Sequence, residues 1–336
     1  MSERCVPVPV IPYRSLPLET IASPLMWTAF GGLVVLALLA DLVLMRHGGP
    51  HRVTFKEALG WSVGWVAVAV AFGGWLWWYV SQQSGPDAGQ RIALEYFTGY
   101  LIEKSLAVDN IFVFLMLFTY FAVPEEQRQK VLVIGVLGAI VLRAIMIFAG
   151  ALLLAKFHWI LYVFGAFLLL TGVKMLWAAG KEPDLENNPL LRWLTGHVPL
   201  TRGYVGSKLS VIENGKRLYT PLFIVIVMIG ITDLIFAVDS IPAIFAITED
   251  PFVVLTSNVF AVLGLRAMFF LLAGMADRFH LLPYGLAVVL IFIGAKMLAV
   301  DLFKIPVLVS LAVVATIIGF TVVLSLLRPQ RSTPAA

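Results

Sequence analysis

Apolar residues in this chain arrive in runs about as long as a lipid bilayer is thick. Between clusters of polar residues, nine such runs stand at 25–45, 58–80, 92–121, 131–154, 158–178, 219–247, 253–276, 282–302 and 305–327. A helix rises 1.5 Å per residue, so roughly 20 apolar residues cover a hydrocarbon core of about 30 Å. Inside that core the backbone must satisfy its own polar groups, which leaves helices as the natural form for such runs. Composition agrees: of 336 residues 60% are hydrophobic and only 13% charged, where a soluble domain carries about a quarter charged. The expected fold is an all-α polytopic membrane protein with about nine transmembrane helices, and the expected surroundings are a lipid bilayer. A formal net charge of +4 is too small and too dispersed for a nucleic-acid partner. A lone cysteine, Cys5, excludes an internal disulfide or a thiolate cluster. The five histidines (His47, His51, His158, His197 and His280) fall at or beyond the ends of the runs, so imidazole ligation in mid-membrane is excluded too.

Basic residues orient the chain, because they concentrate in cytoplasmic loops. With the N-terminus outside, fourteen Lys and Arg fall in inner segments and five in outer ones, so the expected topology is N-out, C-in. The segments then divide as follows: an extracytoplasmic arm (1–24), two accessory spans (25–91), a three-span unit (92–178), a cytoplasmic loop (179–218), a second three-span unit (219–302), and a final span with a cytoplasmic tail (303–336). The loop is too short for a core of its own and reads as a surface connector.

The two three-span units are copies. AVDN at 107–110 matches AVDS at 237–240, LRA at 142–144 matches LRA at 265–267, and GVKML at 172–176 matches GAKML at 294–298. The offsets are 130, 123 and 122 residues, and the drop from 130 to 123 falls at the longer loop at 124–130. An odd number of spans per copy makes the second enter from the opposite side. That is a 3+3 inverted repeat, an architecture on which secondary transporters are built with their site near the midplane.

Ionisable residues in mid-span are costly and normally pair or serve function. The repeat-matched set is Glu103, Asp109, Arg143 and Lys174 in the first copy and Asp233, Asp239, Arg266 and Lys296 in the second. Lys104 faces Leu234 in the repeat and is expected to snorkel. Six residues separate Glu103 from Asp109 and Asp233 from Asp239, about 240° of helical rotation, so a straight helix would not aim both acids one way. A break near Pro242, with Gly230 upstream and Gly99 in the first copy, would reconcile them. The acids are then expected to pair as Glu103 with Asp239 and Asp109 with Asp233. With Asn110, Thr232 and Ser240 beside them, the donors are all oxygen. Such a set suits hard divalent cations such as Mn, Mg or Ca better than Zn or Cu.

EKSLAVDNIFVF at 103–114 and ITDLIFAVDSIPAIFAIT at 231–248 resemble the signature segments of the TerC/Alx-type integral membrane protein family, within the wider lysine-exporter-like superfamily. The resemblance covers 92–302 most strongly. It implies a bacterial inner-membrane or thylakoid protein and Mn(II) efflux through Glu103, Asp109, Asn110, Asp233, Asp239 and Ser240. It implies a transported ion rather than a permanently bound cofactor, and a transporter rather than an enzyme. The family is associated with tellurium resistance, but no residue pattern here supplies a redox centre for tellurite.

Other classes were weighed. An intramembrane aspartyl protease would carry GxGD, which is absent. An amino-acid exporter must meet a carboxylate and could use Arg143 and Arg266, but four matched acids are too many for it; export of a small organic cation stands as an alternative. A membrane scaffold or insertion factor predicts that the acids are dispensable. The matched charges sum to zero, so loading a divalent cation would leave +2 in low dielectric. Expelling protons relieves that, which suggests cation/proton antiport with Lys174 and Lys296 as proton-bearing partners.

Overall fold

The computed structural model describes residues 20–47, 54–157, 159–178, 189–213, 215–273, 281–302 and 305–327. The arm up to residue 19 with Cys5, the first part of the 179–218 loop, the tail from 328, and the side chains of Asp41 and Asp109 lie outside them. In chain order come α1 (Pro24–His47), α2 (Phe55–Ser84), α3 (Pro86–Tyr120), α4 (Glu125–Lys156), α5 (Ile160–Ala178) and α6 (Pro189–His197). A hairpin of β1 (Ser210–Glu213) and β2 (Lys216–Tyr219) follows. Then come α7 (Pro221–Phe245), α8 (Pro251–Leu263), α9 (Leu265–Ala273), α10 (Leu282–Leu298) and α11 (Val307–Leu327).

The helices begin where the local chemistry says they should. Thr54 caps α2 by accepting from the Glu57 amide at 3.3 Å, and Asp250 caps α8 by accepting from the Phe252 amide at 2.8 Å. Proline occupies the first turn of α3, α7, α8 and α10, where its missing donor costs no helical bond. Among the described residues six helical segments are long and apolar enough to cross a membrane: α2, α4, α5, α7, α8 with α9, and α11. α10 and the Pro24–Ala40 part of α1 are shorter apolar helices. α3, at 35 residues, carries Asp87, Arg91, Glu95, Glu103, Lys104 and Asp109.

α3 is the central helix, packed on α2, α7, α8 and α11, while α4 packs on α7 and α8. α5 lies along α10 at backbone distance. A Cβ on Gly294 would stand 2.6 Å from the Leu169 amide nitrogen, and one on Gly172 would stand 2.9 Å from the Ala287 carbonyl oxygen. Small residues are what permit such approach where lipid removes the hydrophobic drive between helices. At one end of the bundle Asp250 accepts from the Ile21 amide at 2.6 Å and the Thr20 hydroxyl at 2.9 Å. At the other end the Tyr204 hydroxyl donates to the Phe121 carbonyl at 2.7 Å, joining the hairpin segment to the α3–α4 turn.

Two expectations about helix continuity are corrected. α7 is unbroken from Pro221 to Phe245 with Pro242 inside it, and α3 runs through Gly99 without interruption. The interruption lies instead at Gly264, between α8 and α9. Pro242 lies within four residues of the end of α7, so its missing amide costs one bond, and the helix closes on an Ala246 amide to Pro242 carbonyl bond of 3.0 Å. The hairpin was also not foreseen in a loop read as a connector.

The close glycines give a stability prediction. Gly172→Leu or Gly294→Leu would push α5 from α10 and cost about 1–3 kcal/mol or more through overpacking. Gly138→Leu, where a Cβ meets nothing within 4 Å, serves as the control. Thermal melting of the detergent-purified protein should fall for the first two variants and hold for the third.

Candidate metal site

Unbroken helices keep the acids apart in direction. On α3, Glu103, Leu106 and Asn110 lie one and two turns apart on one face; on α7, Phe236 lies one turn before Asp239 and Ser240. These two faces meet around a cavity of about 40 Å³, lined also by Arg143 of α4, Met175 of α5 and Leu290 of α10. Asp233, six residues before Asp239, points to another side of α7 and meets α4.

Arg143 is the hub of that second meeting. Its Nη2 donates to Asp233 Oδ1 at 3.0 Å and its Nε to Asp233 Oδ2 at 3.4 Å. Its Nη1 donates to Glu103 Oε1 and, at 3.1 Å, to Asn258 Oδ1 of α8. Asn258 in turn donates through Nδ2 to Glu103 Oε2 at 3.1 Å. All four residues are 2% exposed or less. A guanidinium taken out of water needs this degree of pairing, since an unpaired buried charge costs several kcal/mol. Asn258 was missed from the sequence. The available signal was Thr256-Ser257-Asn258, three consecutive polar residues in an apolar run, all fully buried.

The cavity has the donors a hard cation needs. Glu103 and Asp239 supply carboxylates, and the buried Asn110 Oδ1 and Ser240 Oγ have no hydrogen-bond partner. Buried oxygens are nearly always bonded, so two orphans on one cavity wall mark a place for a ligand. A volume of about 40 Å³ exceeds the ~10–15 Å³ that one water requires. Among the described residues no three carboxylate, imidazole or thiol groups converge, so the set is two charged and two neutral oxygens. With its carboxylates ionised, the cluster of Glu103, Asp233, Asp239 and Arg143 carries −2, reduced to −1 where Lys174 is counted beside Asp239, so the site favours a cation.

The remaining predicted residues take other places. Thr232 returns its hydroxyl to the Met228 carbonyl at 2.7 Å and does not line the cavity. The Asp109 side chain, and with it the expected Asp109–Asp233 pair, is outside the described residues, and Asp233 is engaged by Arg143 instead. Thr171 and Lys174 of α5 lie beside Asp239. Lys296 lies beside Glu95. Arg266 is half-buried in α9 and does not line the cavity. Lys104 does not snorkel: its Nζ donates to the Ala261 carbonyl at 3.3 Å, next to the break at Gly264. Glu95 lines a wider cavity of about 720 Å³ with Arg91, Thr248, Glu249 and Asp250. It lies about 12 Å along α3 from Glu103.

The fold and site define a predominantly helical membrane protein with a charged cavity between its helices. The pattern of the "Integral membrane protein TerC family" matches residues 88–333, and the chain belongs to that family. It is 53% identical over 308 residues to proteins named "Putative membrane-bound redox modulator Alx" from Salmonella typhi and Escherichia coli (strain K12), covering 92% of this chain and 96% of each relative. It is 46% identical over 313 residues to "Uncharacterized membrane protein STKORF319" of Myxococcus xanthus, covering 93% of this chain and 95% of the relative. No solved structure matches the chain.

Arg143→Leu would leave Glu103 and Asp233 buried without their shared cation and should destabilise the protein by about 3–5 kcal/mol. Arg91→Leu removes a pair 3.7 Å long with an arginine side chain 68% exposed, worth about 1 kcal/mol or less. Fluorescence-detected melting should separate the two variants widely, and equal losses would contradict the hub role of Arg143.

Proposed function

We propose that this protein is a secondary transporter that exports a divalent metal cation, Mn(II) before others, from the cytoplasm. The observation that carries the reading is the cavity in which two carboxylates, Glu103 and Asp239, share walls with two unpartnered buried oxygens, Asn110 Oδ1 and Ser240 Oγ. Hard divalent ions prefer such oxygen sets, and manganese accepts a mixture of carboxylate and neutral donors. Asp109 and Asp233 complete the proposed metal-site residues, Asp233 through its hold on Arg143. The ion is cargo, and the protein works as a carrier rather than an enzyme.

The proposed architecture is nine spans with the N-terminus outside and the C-terminus inside a bacterial inner membrane, built on a 3+3 inverted repeat. The proposed segment divisions are those read from the sequence. Support comes from the packing: α3 lies on α8 and α4 on α7, first helix of one copy on second helix of the other, and α5 lies on α10. The matched Gly172 and Gly294 both serve that last contact. The halves also differ in shape. α8 and α9 break at Gly264, whereas α4 is continuous through the matched Val141. Two copies of one unit in two conformations are what alternating access requires.

Proton counter-transport is the proposed coupling, with Lys174 and Lys296 as proton-bearing partners. An empty carrier returning with uncompensated buried charge meets a high barrier, and protons moving the other way remove it. The relatives' name supports a second reading, modulation of redox state. With one cysteine in this chain, an intrachain dithiol cannot provide it, so a redox effect is proposed to follow from the cation carried.

In cells challenged with excess manganese, Asp239→Asn should raise intracellular manganese and abolish protection while the protein stays in the membrane at normal level. Ser240→Ala, which removes a neutral donor, should do so partially. A scaffold role predicts full protection from both variants, and that outcome would overturn the assignment. In proteoliposomes with an entrapped pH dye, a manganese gradient should drive opposed proton movement; manganese flux without it would leave a uniporter.

A further inference from the structure

The guanidinium of Arg143 is held unequally around its rim. The Nε–Nη2 edge forks onto Asp233 through two bonds, the bidentate geometry that fixes an arginine best. The remaining corner, Nη1, divides between Glu103 Oε1 and Asn258 Oδ1. Asn258 holds both sides of that corner, since its Nδ2 also donates to Glu103 Oε2. Glu103 therefore has two directions available: toward Nη1, as it stands, or toward the cavity it already lines with Asp239.

Resting on the cation-binding reading above, we propose that Arg143 and the transported cation are alternative partners of Glu103. In the empty protein the arginine occupies the carboxylate. When the cation enters, Glu103 turns to it, Nη1 keeps the amide oxygen of Asn258, and the edge bound to Asp233 does not move. Arginine holds its proton under all ordinary conditions, so the positive charge stays in place and acts as a fixed competitor. Arg143 is thus a specificity-determining residue and Asn258 its positioning residue. Exchanging a +1 guanidinium for a +1 ion gains no Coulomb energy at Glu103, whereas a +2 ion gains by the difference in charge. Abundant monovalent cations are refused without any steric filter, and an oxygen-lined cavity of this size needs such a device.

The test uses the full-length protein purified in nanodiscs, with free Mn2+ read from its paramagnetic resonance signal during titration. Potassium chloride against choline chloride reports monovalent competition. The paired variant Arg143→Gln/Asp233→Asn removes one charge of each sign and releases Glu103 from its competitor. It should bind Mn2+ about tenfold tighter or more, a change of about 1.4 kcal/mol, and potassium should now weaken that binding. Asn258→Leu acts oppositely: Nη1 loses its alternative acceptor, the arginine keeps Glu103, and Mn2+ binding should weaken by about tenfold. A merely structural role for these residues moves both variants the same way, and that result, or unchanged potassium competition in the paired variant, overturns the exchange. If the paired variant does not elute as folded protein, Asn258→Leu is read beside Asn258→Gln, which keeps an amide oxygen for Nη1: weaker binding in the first with recovery in the second supports the exchange, and equal loss in both, or no loss in the first, overturns it. Wild-type protein that binds no Mn2+ overturns the cation reading and the exchange together. Wild-type binding with the wrong pattern among the variants overturns the exchange only.

Discussion

One buried guanidinium sets the arrangement of the bundle's centre. Arg143 is only 1% exposed, and its charge is tolerable because α3, α7 and α8 each bring a hydrogen-bond acceptor to it. Three helices constrained to meet a fourth at one point lose their rotational freedom. With Glu103 and Asp233 fixed on Arg143, helical geometry places Asn110 two turns along α3 and Ser240 two turns along α7, and turns Asp239 about 120° from Asp233. The cavity is the consequence of that turn. Its net charge follows as well, since one arginine against three carboxylates leaves a deficit that favours a cation.

The second constraint is close backbone approach. α5 and α10 pass each other at glycines, bringing Met175 and Leu290 in as the apolar walls of the cavity. Apolar walls lower the local dielectric, so charge matching between pocket and ion matters more than it would in water. Lys104 serves the same region from outside the cavity, donating to the carbonyl of Ala261 where the α8–α9 helical run is interrupted. A lysine in that position keeps the interruption from leaving a buried carbonyl unsatisfied.

Much of the fold was legible because lipid simplifies the code. Runs of about 20 apolar residues announce helices, and prolines at 86, 221 and 251 announce where three of them start. The pairing of Glu103 with Asp239 around one cavity was legible from the repeat-matched acids. What failed was the inference from Pro242 to a broken helix: a proline near a helix end costs one bond and the helix closes around it, whereas the actual break at Gly264 has no proline to mark it. The electrostatic tally failed for a related reason. Counting eight matched charges treats them as one set, but Lys174 is exposed and Lys296 sits by Glu95. The polar triplet ending at Asn258 carried the missing information, and it was overlooked because amides bring no charge to a count.

The account stands or falls on where a bound ion sits. A structure determined with manganese, with anomalous scattering measured at its absorption edge, tests this directly. The predicted result is one peak in the cavity, coordinated by Glu103, Asn110, Asp239 and Ser240, with Arg143 still forked on Asp233. A peak confined to the wider cavity around Glu95 and Asp250, or no peak within the bundle at saturating manganese, would contradict it.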